Sequence, residues 1–158
     1  MLCAAFHLFS TQHAARRTKM RYLSIDYGTK RTGLAICDAA ETIASPLTVL
    51  HGQKELLKKI AEIVKTENVD AIVLGLPLNM SGTESAQTKL ALNFAERLKE
   101  HLSVPIHLQD ERLSSFGAEE KLAPADFTRG KRKKRIDAVA AAEILGAFLE
   151  QKAAGYDN

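Results

Sequence analysis

Apolar residues recur along this chain with two alternating spacings, one typical of β-strands and one typical of α-helices. The first apolar region, residues 22–37, is interrupted at Gly28, which predicts a β-hairpin. A third strand is predicted over residues 41–50. Pro46 confines that strand to an edge of the sheet, because proline lacks the backbone donor that a central strand needs. Residues 53–66 then show the spacing of an amphipathic helix.

The alternation continues through the second half of the chain. Residues 71–74 are all apolar, as expected for a parallel strand that is covered on both faces. Ser81 and Glu84 have the spacing of a capping box and predict a helix over residues 83–101. The buried face of that helix would consist of Leu90, Phe94, Ala95 and Leu98. The remaining predicted elements are a strand over residues 104–109 and helices over residues 114–122 and 136–152.

Three strands in a meander, followed by crossovers through helices, predict the α/β class with a mixed five-stranded sheet and helices on both faces. The 158 residues, of which 46% are hydrophobic, suffice for one domain with its own core. No window approaches the ~20 apolar residues of a membrane span, so no membrane partner is expected. Cys3 and Cys37 differ in context and lie far apart in sequence, which argues against a disulfide and favours the reducing cytoplasm.

Residues 1–19 differ from the rest of the chain, since they contain no acid and show no clear periodicity. We interpret them as a disordered extension or as the product of an upstream translation start, because Met20 stands immediately before the first strand. The domain proper is predicted over residues 20–152, with a C-terminal tail at residues 153–158. The three basic residues of the extension account for the formal net charge of +3, so the domain itself is balanced.

Basic residues cluster just before the last predicted helix, at Arg129, Lys131, Arg132, Lys133, Lys134 and Arg135. A run of this kind is usually a solvated, mobile loop. It is also the charge pattern expected for contact with the phosphate groups of a polyanion. Nucleic acid is therefore the expected partner.

Acidic residues end or begin three separate elements. Asp26 ends the first strand, Asp110 and Glu111 end the fifth, and Asp137 opens the last helix. Carboxylates that converge repel one another, but together they form an oxygen cage suited to Mg²⁺ or Mn²⁺. Each acid alone has a structural alternative, such as a turn residue around Gly28 for Asp26 or a favourable helix-dipole contact for Asp137.

Four blocks of sequence resemble the YqgF/RuvX family, whose members are related to RuvC-type Holliday-junction resolvases of the RNase H-like superfamily. The blocks are IDYGTKRTGLA at residues 25–35, GLPLNMSGTE at residues 75–84, DERLSS at residues 110–115 and IDAVAAAEIL at residues 136–145. The resemblance implies an RNase H-like fold with strand order 3-2-1-4-5. It also implies a two-metal nuclease, a hydrolase of ester bonds, that trims the 5′ end of pre-16S ribosomal RNA in ribosome biogenesis.

The same resemblance assigns roles to individual residues. Asp26, one acid of the pair at residues 110 and 111, and Asp137 would be catalytic and would hold the metal ions. Substrate would be bound by Lys30, Arg31, Asn79, Arg112, Lys131, Arg132, Lys133 and Lys134. Related resolvases carry an acid at the end of strand four, where this chain has Gly75 and no acid.

The second metal ligand must then come from strand five, two strand spacings or about 9.6 Å from strand one. That distance favours the longer Glu111 over Asp110. Only one of the two should serve, because neighbouring residues of a strand point to opposite faces. Asp110 would instead position Arg112 or the following helix.

Several alternatives stay open at this point. A Holliday-junction resolvase acting on branched DNA fits the same sequence, and so does a non-catalytic nucleic-acid-binding factor acting in transcription. The sequence does not choose between endonuclease and exonuclease cleavage. A monomer or a weak homodimer is expected.

Overall fold

The computed structural model describes residues 19–113 and 129–155. In chain order, its elements are β1 (Tyr22–Asp26), β2 (Arg31–Cys37), β3 (Ala44–His51), α1 (Leu56–Thr66), β4 (Ala71–Leu76), α2 (Ala86–His101), β5 (Ile106–Asp110), a 3₁₀ turn (Glu111–Leu113) and α3 (Arg129–Ala153). Residues 1–18 of the predicted extension, the helix predicted over residues 114–122 and the last three residues fall outside the described ranges. Within the described ranges, no helix is long and apolar enough to cross a membrane.

The strands form one sheet in the order β3-β2-β1-β4-β5, which confirms the predicted mixed sheet and its strand order. β1 and β2 form the predicted antiparallel hairpin, while β4 and β5 run parallel to β1 after the crossover helices α1 and α2. β3 occupies the edge beyond β2, where Pro46 pairs with Ala35 beside a β-bulge. The carboxyl ends of β1, β4 and β5 therefore meet at one edge of the sheet.

Helices cover both faces of this sheet. The first layer is α1 and α2, whose contribution to the core is Leu56, Ile60, Phe94, Ala95 and Leu98. The second layer is α3, which contributes Ile144, Leu145, Phe148 and Leu149. Because alternate residues of a strand face opposite sides, Leu23 and Ile25 of β1 enter the first layer. Ser24 faces the second, where its hydroxyl donates to the carbonyl oxygen of Ala141.

α3 lies unusually close to β2, because small residues line both sides of the contact. Ala35 packs against Ala141 and Ala142. At Gly33, a β-carbon would overlap the carbonyl oxygen of Asp137. Gly33 is also the residue of β2 that pairs with Asp26 of β1. The missing side chain at Gly33 thus brings the backbone of α3 against the sheet beside Asp26.

The start of α2 differs from the prediction. Ser85, rather than Ser81, caps the helix, and it forms a capping box with Thr88 instead of Glu84. Glu84 lies before the helix, where its backbone forms an antiparallel bridge with Leu78 across a turn. Of the predicted buried face, Phe94, Ala95 and Leu98 are buried, together with Ala91, whereas Leu90 is 37% exposed.

The start of the last helix also differs from the prediction. α3 begins at Arg129, whereas the sequence pattern placed its start at Ile136 and the basic run in a loop. Lysine and arginine are good helix formers, and only Gly130 within the run opposes a helix. The basic residues consequently occupy the first turns of the helix that carries Asp137.

We predict that Gly33→Ala lowers the free energy of unfolding by about 1–3 kcal/mol, the usual cost of overpacking, because the backbone of α3 must move. Gly146→Ala is the matched control within α3. A β-carbon there meets no atom within 4 Å, and alanine favours a helix over glycine by up to about 1 kcal/mol. Urea unfolding followed by circular dichroism measures both. Equal stability of the two variants would contradict the close approach at Gly33.

Candidate active site

Asp26 stands at the carboxyl end of β1, immediately after four fully buried residues. It shares the face of Ser24, so its side chain points toward the α3 side of the sheet. Burial is the main reason that its pKa is raised to about 6, and the negative charge of Asp137 adds to the rise. A carboxyl group with this pKa is held in an environment that disfavours its own charge.

Glu111 approaches the same place from the other side of β4. It opens the 3₁₀ turn after β5, and its carboxylate lies over Gly75 of β4, where a β-carbon would overlap its Oε1 atom and come within 2.7 Å of Ile144 Cδ1. Burial, followed by the charges of Asp26 and Asp110, raises the pKa of Glu111 to about 7. The absence of a side chain at Gly75 is what gives the Glu111 carboxylate its space.

Asp110 is engaged elsewhere. Its carboxylate accepts a hydrogen bond from the backbone N–H of Arg112 at 2.9 Å. It also accepts from two nitrogen atoms of the Arg112 guanidinium, Nε at 2.9 Å and Nη2 at 2.6 Å. These hydrogen bonds with Arg112 hold the pKa of Asp110 below its usual value. The two neighbouring acids therefore have opposite electrostatic environments. Glu111 is the one whose pKa is raised by the charge of Asp26.

Asp137 joins the site through α3, and its carboxylate is paired. Arg31 at the start of β2 donates from Nε to Asp137 Oδ2 at 2.6 Å, with both side chains partly exposed. Sequence reasoning assigned Arg31 to substrate and did not foresee this pair. Within the residues that the structure describes, no three histidine, cysteine or acidic side chains stand close enough to hold a metal ion.

The loop between β4 and α2 borders the site beside Arg112. Asn79, assigned to substrate from the sequence, folds back on this loop, and its side-chain amide donates to Thr83 Oγ1 at 3.0 Å. Gly82, with a φ of +81°, packs against the guanidinium of Arg112, whose Nη1 would lie 3.2 Å from a β-carbon at that position. The loop and Arg112 thus form one side of the rim.

The hairpin turn between β1 and β2 forms the opposite side of the rim. Lys30 is exposed there. Gln53 fixes the turn by donating from Nε2 to the carbonyl oxygens of Gly28 and Thr29, at 3.1 and 3.0 Å. The sequence placed Gln53 at the start of a predicted helix, whereas α1 begins at Leu56. Its contact with the turn depends on the tertiary fold and was not predicted. The remaining substrate candidates, Lys131, Arg132, Lys133 and Lys134, belong to the first turns of α3.

Comparison with known proteins identifies the family. A family model described as "RuvX: Holliday junction resolvase" matches residues 20–151. The chain belongs to the RuvX family. A protein of Maridesulfovibrio salexigens is 43% identical over 82% of this chain and 98% of its own length, and one of Anaeromyxobacter dehalogenans is 43% identical over 85% and 99%. Both are named "Putative pre-16S rRNA nuclease", and together they confirm the resemblance found in the sequence.

Solved structures support the fold. RuvC of T. thermophilus in complex with a Holliday junction substrate aligns with a TM-score of 0.55 at 15% identity, over 84% of this chain and 96% of that protein. A second Thermus thermophilus RuvC structure aligns with a TM-score of 0.52 at 15% identity, over 84% and 97%. At this level of identity the likeness concerns the fold alone, and it confirms the RNase H-like architecture.

The raised pKa of Glu111 predicts how stability depends on pH in metal-free buffer. The native state keeps the Glu111 proton up to about pH 7, whereas the ordinary pKa of a glutamate is 4.5. The contribution of Glu111 to the free energy of unfolding is therefore fully present below pH 4.5 and falls as the pH rises toward 7, because Glu111 ionises at lower pH in the unfolded chain than in the native state. Glu111→Gln removes this loss, so its free energy of unfolding relative to wild type should rise by on the order of 1–3 kcal/mol between pH 4.5 and 7.5.

Asp110→Asn serves as the control with the opposite sign. The pKa of Asp110 is lowered by Arg112, so the wild type gains stability as the pH rises from the lowered pKa of the folded state toward the ordinary value of 3.8, and the variant lacks that gain. Chemical unfolding at a series of pH values measures both differences. A common sign for the two variants would contradict the assignment of the two environments.

Proposed function

We propose that this protein is a metal-dependent nuclease that hydrolyses phosphodiester bonds in RNA, with the 5′ end of pre-16S ribosomal RNA as its substrate in the cytoplasm. The observation that carries the proposal is the position of Glu111, whose carboxylate crosses β4 over Gly75 toward Asp26. Two acids from separate strands, each with a raised pKa, disfavour one another unless a cation joins them. The names of the RuvX relatives supply the substrate.

The donor set fits Mg²⁺ or Mn²⁺, since both prefer carboxylate oxygens. Asp26 and Glu111 would hold the ion, and Asp137 is the third acid near them. When bound, such ions lower the pKa of a water molecule and stabilise the leaving oxygen of an in-line displacement. Gly75 and Ile144 keep Glu111 in place on the sheet, while the buried end of β1 fixes Asp26.

Cationic residues near this site would bind the phosphate groups of the nucleic-acid backbone. Lys30 and Arg112 lie on opposite sides of the rim, and the basic turns of α3 precede Asp137 along the same helix. Binding through these groups should be independent of base sequence and should weaken with salt. We propose that the protein works as a monomer or a weak homodimer.

Two other functions have an observation in their favour. Cleavage of Holliday junctions is suggested by the description of the family model. A non-catalytic role in nucleic-acid binding is favoured by the Arg31–Asp137 ion pair, which occupies the third acid. A single set of cleavage assays separates all three.

We predict that the wild-type protein cleaves an RNA carrying the 5′ end of pre-16S ribosomal RNA with Mg²⁺ or Mn²⁺ and not with a chelator. Asp26→Asn should lower the rate by at least about 100-fold, since even the partners of metal ligands contribute 10–100-fold. Its stability should not fall in metal-free buffer, because the substitution removes a charge from a repulsive pair. Preferential cleavage of a four-way DNA junction would support a resolvase, and binding without cleavage would support the non-catalytic role.

The adjacent acids Asp110 and Glu111, at the end of β5, give a sharper test of the same site. Glu111→Gln should lose at least about 10-fold more activity than Asp110→Asn, because only Glu111 reaches across β4. Gly75→Ala should also lower activity, since its methyl group displaces the ends of two flexible side chains, Glu111 and Ile144, while the fold can adapt. Initial rates together with melting temperatures separate the effects. A more damaging Asp110→Asn would reverse the assignment of the pair.

A further inference from the structure

Met80 is an apolar side chain that the fold holds out in solvent. It is 90% exposed, more than Ile43, Leu90 or Leu108, the other large apolar residues exposed in the described part of the chain. A single exposed apolar residue is ordinary by itself. Met80 differs because it occupies the tip of an ordered turn beside the candidate active site.

The turn that carries Met80 is fixed by hydrogen bonds on both sides of the tip. The carbonyl oxygen of Asn79 accepts the N–H of Gly82 at 2.8 Å, and the N–H of Asn79 donates to the carbonyl oxygen of Thr83 at 3.0 Å. Thr83 Oγ1 is also bonded to the Asn79 amide and the Ser81 hydroxyl, each at 3.0 Å. Because the turn is already ordered, a contact made by Met80 loses little backbone entropy.

The turn that carries Met80 lies next to the strand ends that position Asp26 and Glu111. The loop follows the carboxyl end of β4. This strand lies between β1, which ends at Asp26, and β5, which Glu111 follows. Gly82 of the turn packs against the guanidinium of Arg112, the residue after Glu111. Met80 therefore belongs to the loop that borders the candidate active site, two residues before the glycine that contacts Arg112.

We propose that Met80 packs against the face of an unpaired nucleobase next to the bond to be cleaved, an inference that rests on the proposed nuclease function. A thioether carries no charge for a phosphate group, but it is polarisable and packs well on aromatic rings. Every base offers such a face, which makes the contact tolerant of sequence. Methionine is also among the side chains that separate stacked bases in nucleic-acid complexes.

A protein partner fits Met80 less well. Stable protein interfaces bury about 1,200–2,000 Å² in total and have an apolar centre. The neighbours of Met80 in the turn, Asn79, Ser81 and Thr83, are polar and exposed. One apolar side chain surrounded by hydroxyl and amide groups matches a single base with its sugar and phosphate groups.

The consequence for substrate choice is a preference for bases that are free to stack. Single-stranded or frayed segments should bind more tightly than fully paired ones of the same sequence. Because the contact is uncharged, it should add to the affinity without adding to its dependence on salt.

The test measures binding in metal-free buffer, where no cleavage occurs, by fluorescence anisotropy with single-stranded RNA, single-stranded DNA and duplexes of one sequence. Met80→Ala should weaken binding to the single strands about threefold to tenfold, with little change for the duplexes. The slope of affinity against salt concentration should stay that of the wild type. Met80→Phe should restore the affinity, and a fluorescent 2-aminopurine base in the strand should report the contact in wild type and Met80→Phe only.

Ile43→Ala is the matched control, because Ile43 is 61% exposed and precedes β3 at the opposite edge of the sheet. It should bind all probes as the wild type does. Equal affinity of Met80→Ala and wild type would overturn the inference. Met80 would then contact a protein partner or remain exposed to solvent, and the nuclease proposal would stand. An equal loss for duplexes, or no rescue by Met80→Phe, would also overturn it. Absence of binding by the wild type would overturn both proposals.

Discussion

β2 and α3 approach each other backbone to backbone at Gly33 and Asp137. The arrangement of the candidate site depends on this close contact. Gly33 leaves room for the backbone of α3 at Asp137, and through the pairing of β1 with β2 it also lies beside Asp26. Any side chain at this position would push the helix away from the sheet. The side chain of the same Asp137 then pairs with Arg31, which lies two residues before Gly33 in β2. The relative positions of Asp26, Asp137 and Arg31 thus depend on one small residue.

A second glycine resolves the conflict between packing and chemistry on the other side of the site. β4 separates the strands that carry Asp26 and Glu111, and an ordinary side chain at residue 75 would fill the space between the two carboxyl groups. With glycine there, the carboxylate of Glu111 is buried against Ile144 and its pKa rises. Burial of an acid costs stability, whereas Asp110, the adjacent acid in sequence, is satisfied by Arg112 at the surface.

The sequence predicted those features that depend on local periodicity. Strand alternation and the apolar run at residues 71–74 were sufficient for the mixed sheet, and the family resemblance supplied its strand order. The start of α2 was wrong because two overlapping serine caps were available, and the bridge between Leu78 and Glu84 decided between them. The start of α3 was wrong because a charged run has no periodicity that separates a helix from a loop. The Arg31–Asp137 pair could not be predicted, since its partners are 106 residues apart in sequence.

Three hydrogen bonds that dock α3 in the described part of the chain are of this long-range kind. They join Arg31 to Asp137, Ser24 to Ala141 and Glu41 to Lys152, across 106, 117 and 111 residues. Closing loops of that length costs chain entropy before any contact compensates for it, so we expect the helix to dock after the sheet has formed. A chain caught before docking would display Asp26 and Glu111 while lacking Asp137 and leaving one face of the sheet bare. The order of assembly would then itself delay the activity: the protein would become competent only when its last helix closes over the sheet.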